Sequence, residues 1–209
     1  MKVLGIDTTR KCANIFCFDT SRLDEVSLTV MPRDIKHSEG LFLYLEKEIL
    51  NNGLNINDID YFVSIVGPGS FTGIRVGMST IKGLNKVLNK VIVPINMFEI
   101  LLPEIKNGVI ALNSTLTSVY YAKVNNKIIV DTGVVAKADL IEMLDNKTLL
   151  VLKEEQNDIG VEYNNCKVVE DLASLYVKCV VDKIDNNDFA EFVPYYLQLS
   201  QAERNLKDE

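Results

Sequence analysis

The stretch from Tyr61 to Asn89 limits what this chain can become more than any other. It opens with an apolar run, Tyr61-Phe62-Val63-Ser64-Ile65-Val66, and breaks at Gly67-Pro68-Gly69-Ser70-Phe71-Thr72-Gly73. It then continues as Ile74-Arg75-Val76-Gly77-Met78-Ser79-Thr80-Ile81-Lys82-Gly83-Leu84. The pattern predicts a buried strand, a tight turn and a long helix. Gly69, Gly73 and Gly77 recur at every fourth position, with Thr80 and Gly83 close to the same line. A helical glycine costs roughly 0.5–1 kcal/mol relative to alanine, so a stripe of them needs a reason. One reason is backbone contact with another element, from this chain or from a second subunit. The other is a phosphate cradled by exposed N–H groups at the helix N-terminus. No Lys-Ser or Lys-Thr pair follows Gly73, and Gly67-Pro68-Gly69 is not continued as G-x-G-x-x-G with a following acid. Close packing is therefore the favoured reading.

The rest of the first half supplies a sheet for this block. Lys2–Ile6, Asn14–Phe18 and Val26–Val30 read as an antiparallel meander, with Asp7-Thr8-Thr9 closing the first strand. In the helix that follows, Leu41, Leu45 and Ile49 make an apolar line that Phe42 broadens, Lys47 and Glu48 face solvent, and Gly53 ends it. Val91–Pro94 is another strand, and a helix runs from Met97 to Ile105. The order β-β-β-α-β-α-β-α predicts an α/β lobe with a mixed sheet flanked by helices, over 1–106. A smaller lobe, 107–200, has strands at Val109–Leu112, Ser118–Val124, Ile128–Val130 and Leu149–Leu152. Its hairpin turns at Asn125-Asn126, and its helices are Asp139–Leu144 and Glu170–Val181. Residues 201–209 form a polar tail, and the sequence contains no internal repeat.

Composition narrows the chemistry. A net charge of −7 argues against a protein whose main task is gripping a nucleic-acid backbone alone. Scattered Cys12, Cys17, Cys166 and Cys179 fit thiols in a reducing cytoplasm, and no apolar run has membrane-spanning length. His37 is the only histidine, with no partner at metal-ligand spacing, so a base or metal role yields to helix-start packing. Asp7 can hold magnesium or position a water, against the alternative that it caps its own turn with Thr8 and Thr9. Ser70 and Thr72 read better as helix caps than as nucleophiles, and Arg75 suits the register of a docked partner. Asn113 to Tyr120 reads as a polar hairpin rim. Two rival functions follow from the residues: a small Mg-ATP-binding ATPase or kinase-like enzyme using Asp7 and the Gly67–Gly73 turn, and a stand-alone transfer-RNA binder, which the acidity disfavours.

Ile6-Asp7-Thr8-Thr9, His37-Ser38, the block from Gly67 to Gly77 and Pro194-Tyr195-Tyr196-Leu197 together resemble the bacterial TsaB (YeaZ) family. The resemblance implies the actin/Hsp70/sugar-kinase (ASKHA) fold in two small lobes. It implies a non-catalytic subunit that supports TsaD in making threonylcarbamoyladenosine beside the anticodon of transfer RNAs reading codons that begin with A. The implied partners are a TsaD-like subunit in a heterodimer and a TsaE-like ATPase in the larger complex. The chain alone would form a homodimer, and transfer RNA would be met only through the complex. No cofactor, metal or membrane is implied, and weak nucleotide binding in the cleft or at the subunit interface stays open. The expected interface holds Ser70, Thr72, Gly73, Arg75, Gly77, Thr80 and Leu84, and Asp7, Thr8 and Thr9 would be a vestigial nucleotide or metal site. Where the family carries Asp-Ala-Arg this chain has Asn113-Ser114-Thr115, and Gln198 replaces an arginine.

Overall fold

Apolar runs that stay apolar on both faces make the central strands, as expected of parallel strands covered by helices. The computed structural model describes residues 1–23 and 25–198. The first sheet contains β1 (Lys2–Asp7), β2 (Asn14–Asp19), β3 (Ser27–Val30), β4 (Tyr61–Gly67) and β5 (Val91–Asn96), in the order β3-β2-β1-β4-β5. β1, β2 and β3 form the antiparallel meander, whereas β4 and β5 run parallel to β1. Helix α1 (His37–Asn51) packs Leu41, Leu45 and Ile49 against Leu4, Ile6, Ile15 and Phe62 of the sheet. Helix α2 (Phe71–Leu88) adds Ile81 to the same core.

Two α1 side chains depart from the expected face. Phe42 is 62% exposed rather than core, and Glu48 is fully buried rather than in solvent. Glu48 is satisfied where it lies: the Thr29 hydroxyl of β3 donates to it at 2.5 Å. A helix line drawn from hydrophobicity alone cannot see that β3 offers a donor there.

The second sheet contains β6 (Gly108–Asn113), β7 (Ser118–Asn125), β8 (Ile128–Ala136), β9 (Thr148–Leu152) and β10 (Cys166–Val169), in the order β10-β9-β6-β7-β8. The helices after the first two, α3 (Met97–Leu101), α4 (Leu140–Leu144) and α5 (Gln156–Ile159), are short, and α6 (Leu172–Asp185) is long. Strand directions repeat those of the first sheet: β6-β7-β8 antiparallel, then β9 and β10 parallel to β6. Both sheets thus have one topology, three strands in a meander followed by two parallel ones, which is the actin/Hsp70/sugar-kinase arrangement. The sequence has no repeat because topology, not residues, is duplicated. β10 was not anticipated: Cys-Lys-Val-Val is too short to stand out between polar stretches.

The expected boundary at 106 moves. One compact unit is Met1–Met97 with Leu172–Tyr195; the other is Phe98–Asp171 with, among the described residues, 196–198. Helix α6 returns to the first unit because Tyr176 is fully buried there and stacks on Phe16 of β2, ring centroids 4.4 Å apart. The polar tail at 201–209 lies outside the described residues. Among the described residues no helix is long and apolar enough to cross a membrane.

Candidate functional site

Two regions of the first unit carry the expected site residues: the turn after β1, and helix α2 behind the β4 turn. At the turn, Asp7 is fully buried. Its Oδ1 accepts from the Thr9 backbone N–H at 2.8 Å and from the Thr9 hydroxyl at 2.6 Å. This is the self-capping arrangement. Its Oδ2 accepts from the Tyr176 hydroxyl at 2.8 Å, and Asn14 Nδ2 donates to the same phenol oxygen at 3.3 Å. Burial, and then the adjacent Asp7 carboxylate, push the Tyr176 phenol well above its ordinary pKa. Sequence reasoning places Tyr176 only within the Glu170–Val181 helix and misses this role, because 169 residues separate it from Asp7. A polar tip on an otherwise apolar helix stripe was the available signal.

Asp7 and Thr9 thus form a closed turn with Tyr176, while Thr8 bonds to Gly73. Both carboxylate oxygens are engaged by protein donors. His37 begins α1 with Nε2 3.3 Å from the Lys11 carbonyl oxygen. Among the described residues no group of three His, Cys, Asp or Glu side chains could hold a metal ion.

The glycine stripe explains itself against the same turn. A Cβ added to Gly73 would lie 1.9 Å from the Thr8 carbonyl oxygen, and one on Gly77 would lie 2.3 Å from the Thr8 hydroxyl. One on Gly69 would meet the Thr9 carbonyl oxygen at 2.3 Å. The Thr8 hydroxyl donates to the Gly73 carbonyl at 2.7 Å, tying helix to turn. The expectation that Gly73 and Gly77 lie bare for another polypeptide is corrected: the close approach is made within the first unit, by β1's own end. Close packing holds, and of the two partners left open it is this chain's own turn that makes it. Ser70 caps the helix, accepting from the Gly73 N–H at 3.2 Å.

The opposite side of α2 is the open one. Thr72, Arg75 and Ser79 are exposed, Thr80 is buried, and Leu84 is half-buried. Nothing lies within 4 Å of where a Gly83 Cβ would be. Here Phe42 of α1 and Val87 of α2, which is 84% exposed, border an apolar groove of about 330 Å³ floored by Thr80, Leu84 and Leu88. A second groove of about 380 Å³ continues beyond Phe42 between Leu50 and Ile56. The two helices differ in charge: α2 holds Arg75, Lys82 and Lys86 with no acid, while α1 holds Glu39, Glu46 and Glu48 against Lys47.

In the second unit, the two departures from the family pattern meet each other. Gln198 Nε2 donates to the Tyr120 hydroxyl at 2.7 Å and to the Ser114 hydroxyl at 3.1 Å. Asn113 ends β6 as Asp7 ends β1; its N–H donates to Glu155 at 2.9 Å, while its Oδ1 is buried without a partner among the described residues.

Comparison with known proteins supplies context for this geometry. The profile of the family described as "TsaD: tRNA N6-adenosine threonylcarbamoyltransferase" matches residues 30–172, more than half of the chain. The tRNA threonylcarbamoyladenosine biosynthesis protein TsaB of Haemophilus influenzae is 29% identical over 94 residues, covering 42% of this chain and 40% of that protein. The Escherichia coli protein of the same name is 26% identical over 84 residues, covering 40% of this chain and 35% of its own length. The chain thus spans less than half the length of these curated relatives in alignment. In structure it is similar to YeaZ from Pseudomonas aeruginosa, with a TM-score of 0.69 over 94% of this chain and 99% of that one at 14% identity.

Proposed function

The chain belongs to the bacterial TsaB/YeaZ family, within the wider family that the threonylcarbamoyltransferase profile describes, and from that premise we propose that it is a non-catalytic supporting subunit. Its task is to bind a TsaD-like subunit that attaches the threonylcarbamoyl group to adenosine beside the anticodon of transfer RNA. The single observation that carries this reading is Asp7, the buried acid at the end of β1, spent on Thr9 and Tyr176. Magnesium or a reacting water would have to compete with these protein donors at both oxygens. The Mg-ATP enzyme considered as a rival needs one of those oxygens.

The partner surface we assign is the outer side of α1 and α2, with Arg75, Thr80 and Leu84 retained from the expected interface and Phe42, Gly83 and Val87 added. Exposed large apolar side chains around a groove are the usual centre of a protein contact. The basic α2, beside the exposed Glu39 and Glu46 of α1, also suits a partner of related fold approaching in pseudo-twofold fashion, which would set each helix against its opposite in charge. A homodimer through the same face is the state expected without that partner. A TsaE-like ATPase joins the assembly in this reading, and the setting is the cytoplasm.

The test is co-expression with a TsaD-like chain. Wild type co-purifies with it and supports threonylcarbamoyl transfer to transfer RNA, while Phe42→Glu stays folded and loses both. Transfer by this chain alone, or undiminished co-purification of Phe42→Glu, would contradict the proposal.

A further inference from the structure

At the end of the second sheet where β6 and β9 begin, three turns lie side by side. The Lys127 N–H donates to the Lys106 carbonyl at 2.9 Å, and the Asn126 N–H donates to Asn107 Oδ1 at 2.9 Å. The β7–β8 turn is thereby fastened to the approach of β6. On its other side Gly108 faces Thr148 in the parallel pairing, which sets Lys147 beside Asn107. Lys106, Lys127 and Lys147 are all exposed, and among the described residues none of them has an ion-pair partner. These three turns hold one acid, Asp145. Glu104 and Asp131, the acids nearest in sequence to Lys106 and Lys127, are already spent: Glu104 lies 2.8 Å from Lys167, and Asp131 lies 3.6 Å from Lys123 and accepts from the Tyr121 hydroxyl at 3.1 Å.

Folding does not ask for this arrangement. Lys127 has φ 62°, in the left-handed region, at the second residue of a two-residue hairpin turn where glycine is favoured. It also stands next to Lys106, a like charge. Both features oppose stability, in a chain whose net charge is −7. The middle of the three turns is polar. Asn107 lies between the Lys106–Lys127 bridge and Lys147, and with Oδ1 taken by Asn126 its Nδ2 is left to donate. Asn126 and Asn146 are exposed amides beside it. A protein partner is gripped by aromatic or aliphatic anchors at the centre of the contact. Here the adjacent exposed apolar group, Ile128, begins β8 outside the three turns. Cations and amide donors around a polar centre match the phosphate and sugar groups of a nucleic-acid backbone instead.

We propose that this corner of the second unit contacts the phosphate backbone of the RNA on which the assembly acts, the RNA being identified by the function proposed above. Lys106, Lys127 and Lys147 each neutralise one phosphate, and the amides of Asn107, Asn126 and Asn146 donate to neighbouring phosphate or 2′-hydroxyl oxygens. Contacts of this kind position an RNA and read no sequence. Three of them against a net charge of −7 make a weak site alone, so the corner acts beside the partner's own RNA contacts. It does so without using the α1–α2 face.

The experiment measures transfer-RNA binding by the complex of the full chain with a TsaD-like subunit, from about 50 to 200 mM salt. Lys106→Gln, Lys127→Gln and Lys147→Gln together are expected to lower affinity at least about tenfold at low salt, equally for transfer RNAs of different sequence. The same triple variant should reduce the steepness of log K against log salt by about 2. Lys137→Gln with Lys153→Gln, at the opposite ends of β8 and β9, should leave that steepness within about 0.5 of wild type. Lys127→Gly separates the role from folding. It is expected to raise the melting temperature, by relieving left-handed backbone and a like-charge contact, while weakening RNA binding. Unchanged steepness in the triple variant, an equal change in the Lys137 and Lys153 control, or wild-type RNA binding by Lys127→Gly overturns the proposal. So does loss of the TsaD-like subunit from the triple variant, which would mark the corner as a protein contact. A wild-type chain that forms no complex with that subunit contradicts the proposed function instead, and the same fall in steepness is then sought with the chain alone.

Discussion

The two sheets share a strand order but treat the end of their first strand in opposite ways. In the first unit, Asp7 is buried and accepts three hydrogen bonds, and an 18-residue helix lies close over its turn. In the second, Asn113 ends the corresponding strand with an Oδ1 unpartnered among the described residues, and the helix after the fourth strand, α5, has four residues. One topology therefore supports a sealed knot on one side and a looser polar rim on the other. The difference teaches where the stability is held. The glycine stripe and Tyr176 serve the first turn, whereas at the second Glu155 accepts one bond from Asn113 and Gln198 donates to Ser114 and Tyr120.

Gly73→Val should break the first turn most severely. Its side chain must displace the Thr8 backbone, and loss of about 3 kcal/mol or more is expected in denaturant unfolding. A loss under 1 kcal/mol would mean that the helix does not bear on the turn as described. Tyr176→Phe comes next, leaving Asp7 Oδ2 without its donor in a dry site, at about 1–3 kcal/mol. Its pH dependence is distinctive. The folded phenol stays protonated above the ordinary value of 10, at which the unfolded phenol ionises, so stability falls as pH rises beyond that point. The gap between wild type and Tyr176→Phe should narrow above pH 10; a constant gap would deny the buried phenol its part.

Milder changes sharpen the contrast. Glu155→Gln keeps a carbonyl oxygen for the Asn113 N–H and should cost under about 1 kcal/mol, far less than damage to the first turn. Gly83→Ala, in open space on the same helix as Gly73, should instead stabilise by about 0.5–1 kcal/mol. Opposite signs at two glycines of one helix are what an inward stripe with an outward remainder requires.

Much of this was legible in the chain. The run Tyr61–Val66, the turn and the helix were plain because apolar period, glycine and proline agree there. The hairpin expected at Asn125-Asn126 turns one residue later, at Asn126 (φ 50°) and Lys127 (φ 62°), with Asn125 still paired to Ile128. What the sequence hid was everything decided by distant partners. Glu48 looks solvent-facing until Thr29 is placed beside it, and Gly73 looks available until Thr8 is. The Asp7 knot closes through a residue of the last long helix, and no local pattern announces which lobe that helix joins.

In the proposed assembly a partner meets the outer side of α2 while the glycine stripe faces the Thr8 turn. Calorimetric titration of a TsaD-like subunit with the Gly83→Leu variant tests it most directly, because that side chain fills the groove without touching the Thr8 turn. The account predicts wild-type unfolding behaviour together with affinity reduced at least about tenfold, the effect of roughly 1.4 kcal/mol. Undiminished affinity in a variant that folds normally would contradict it.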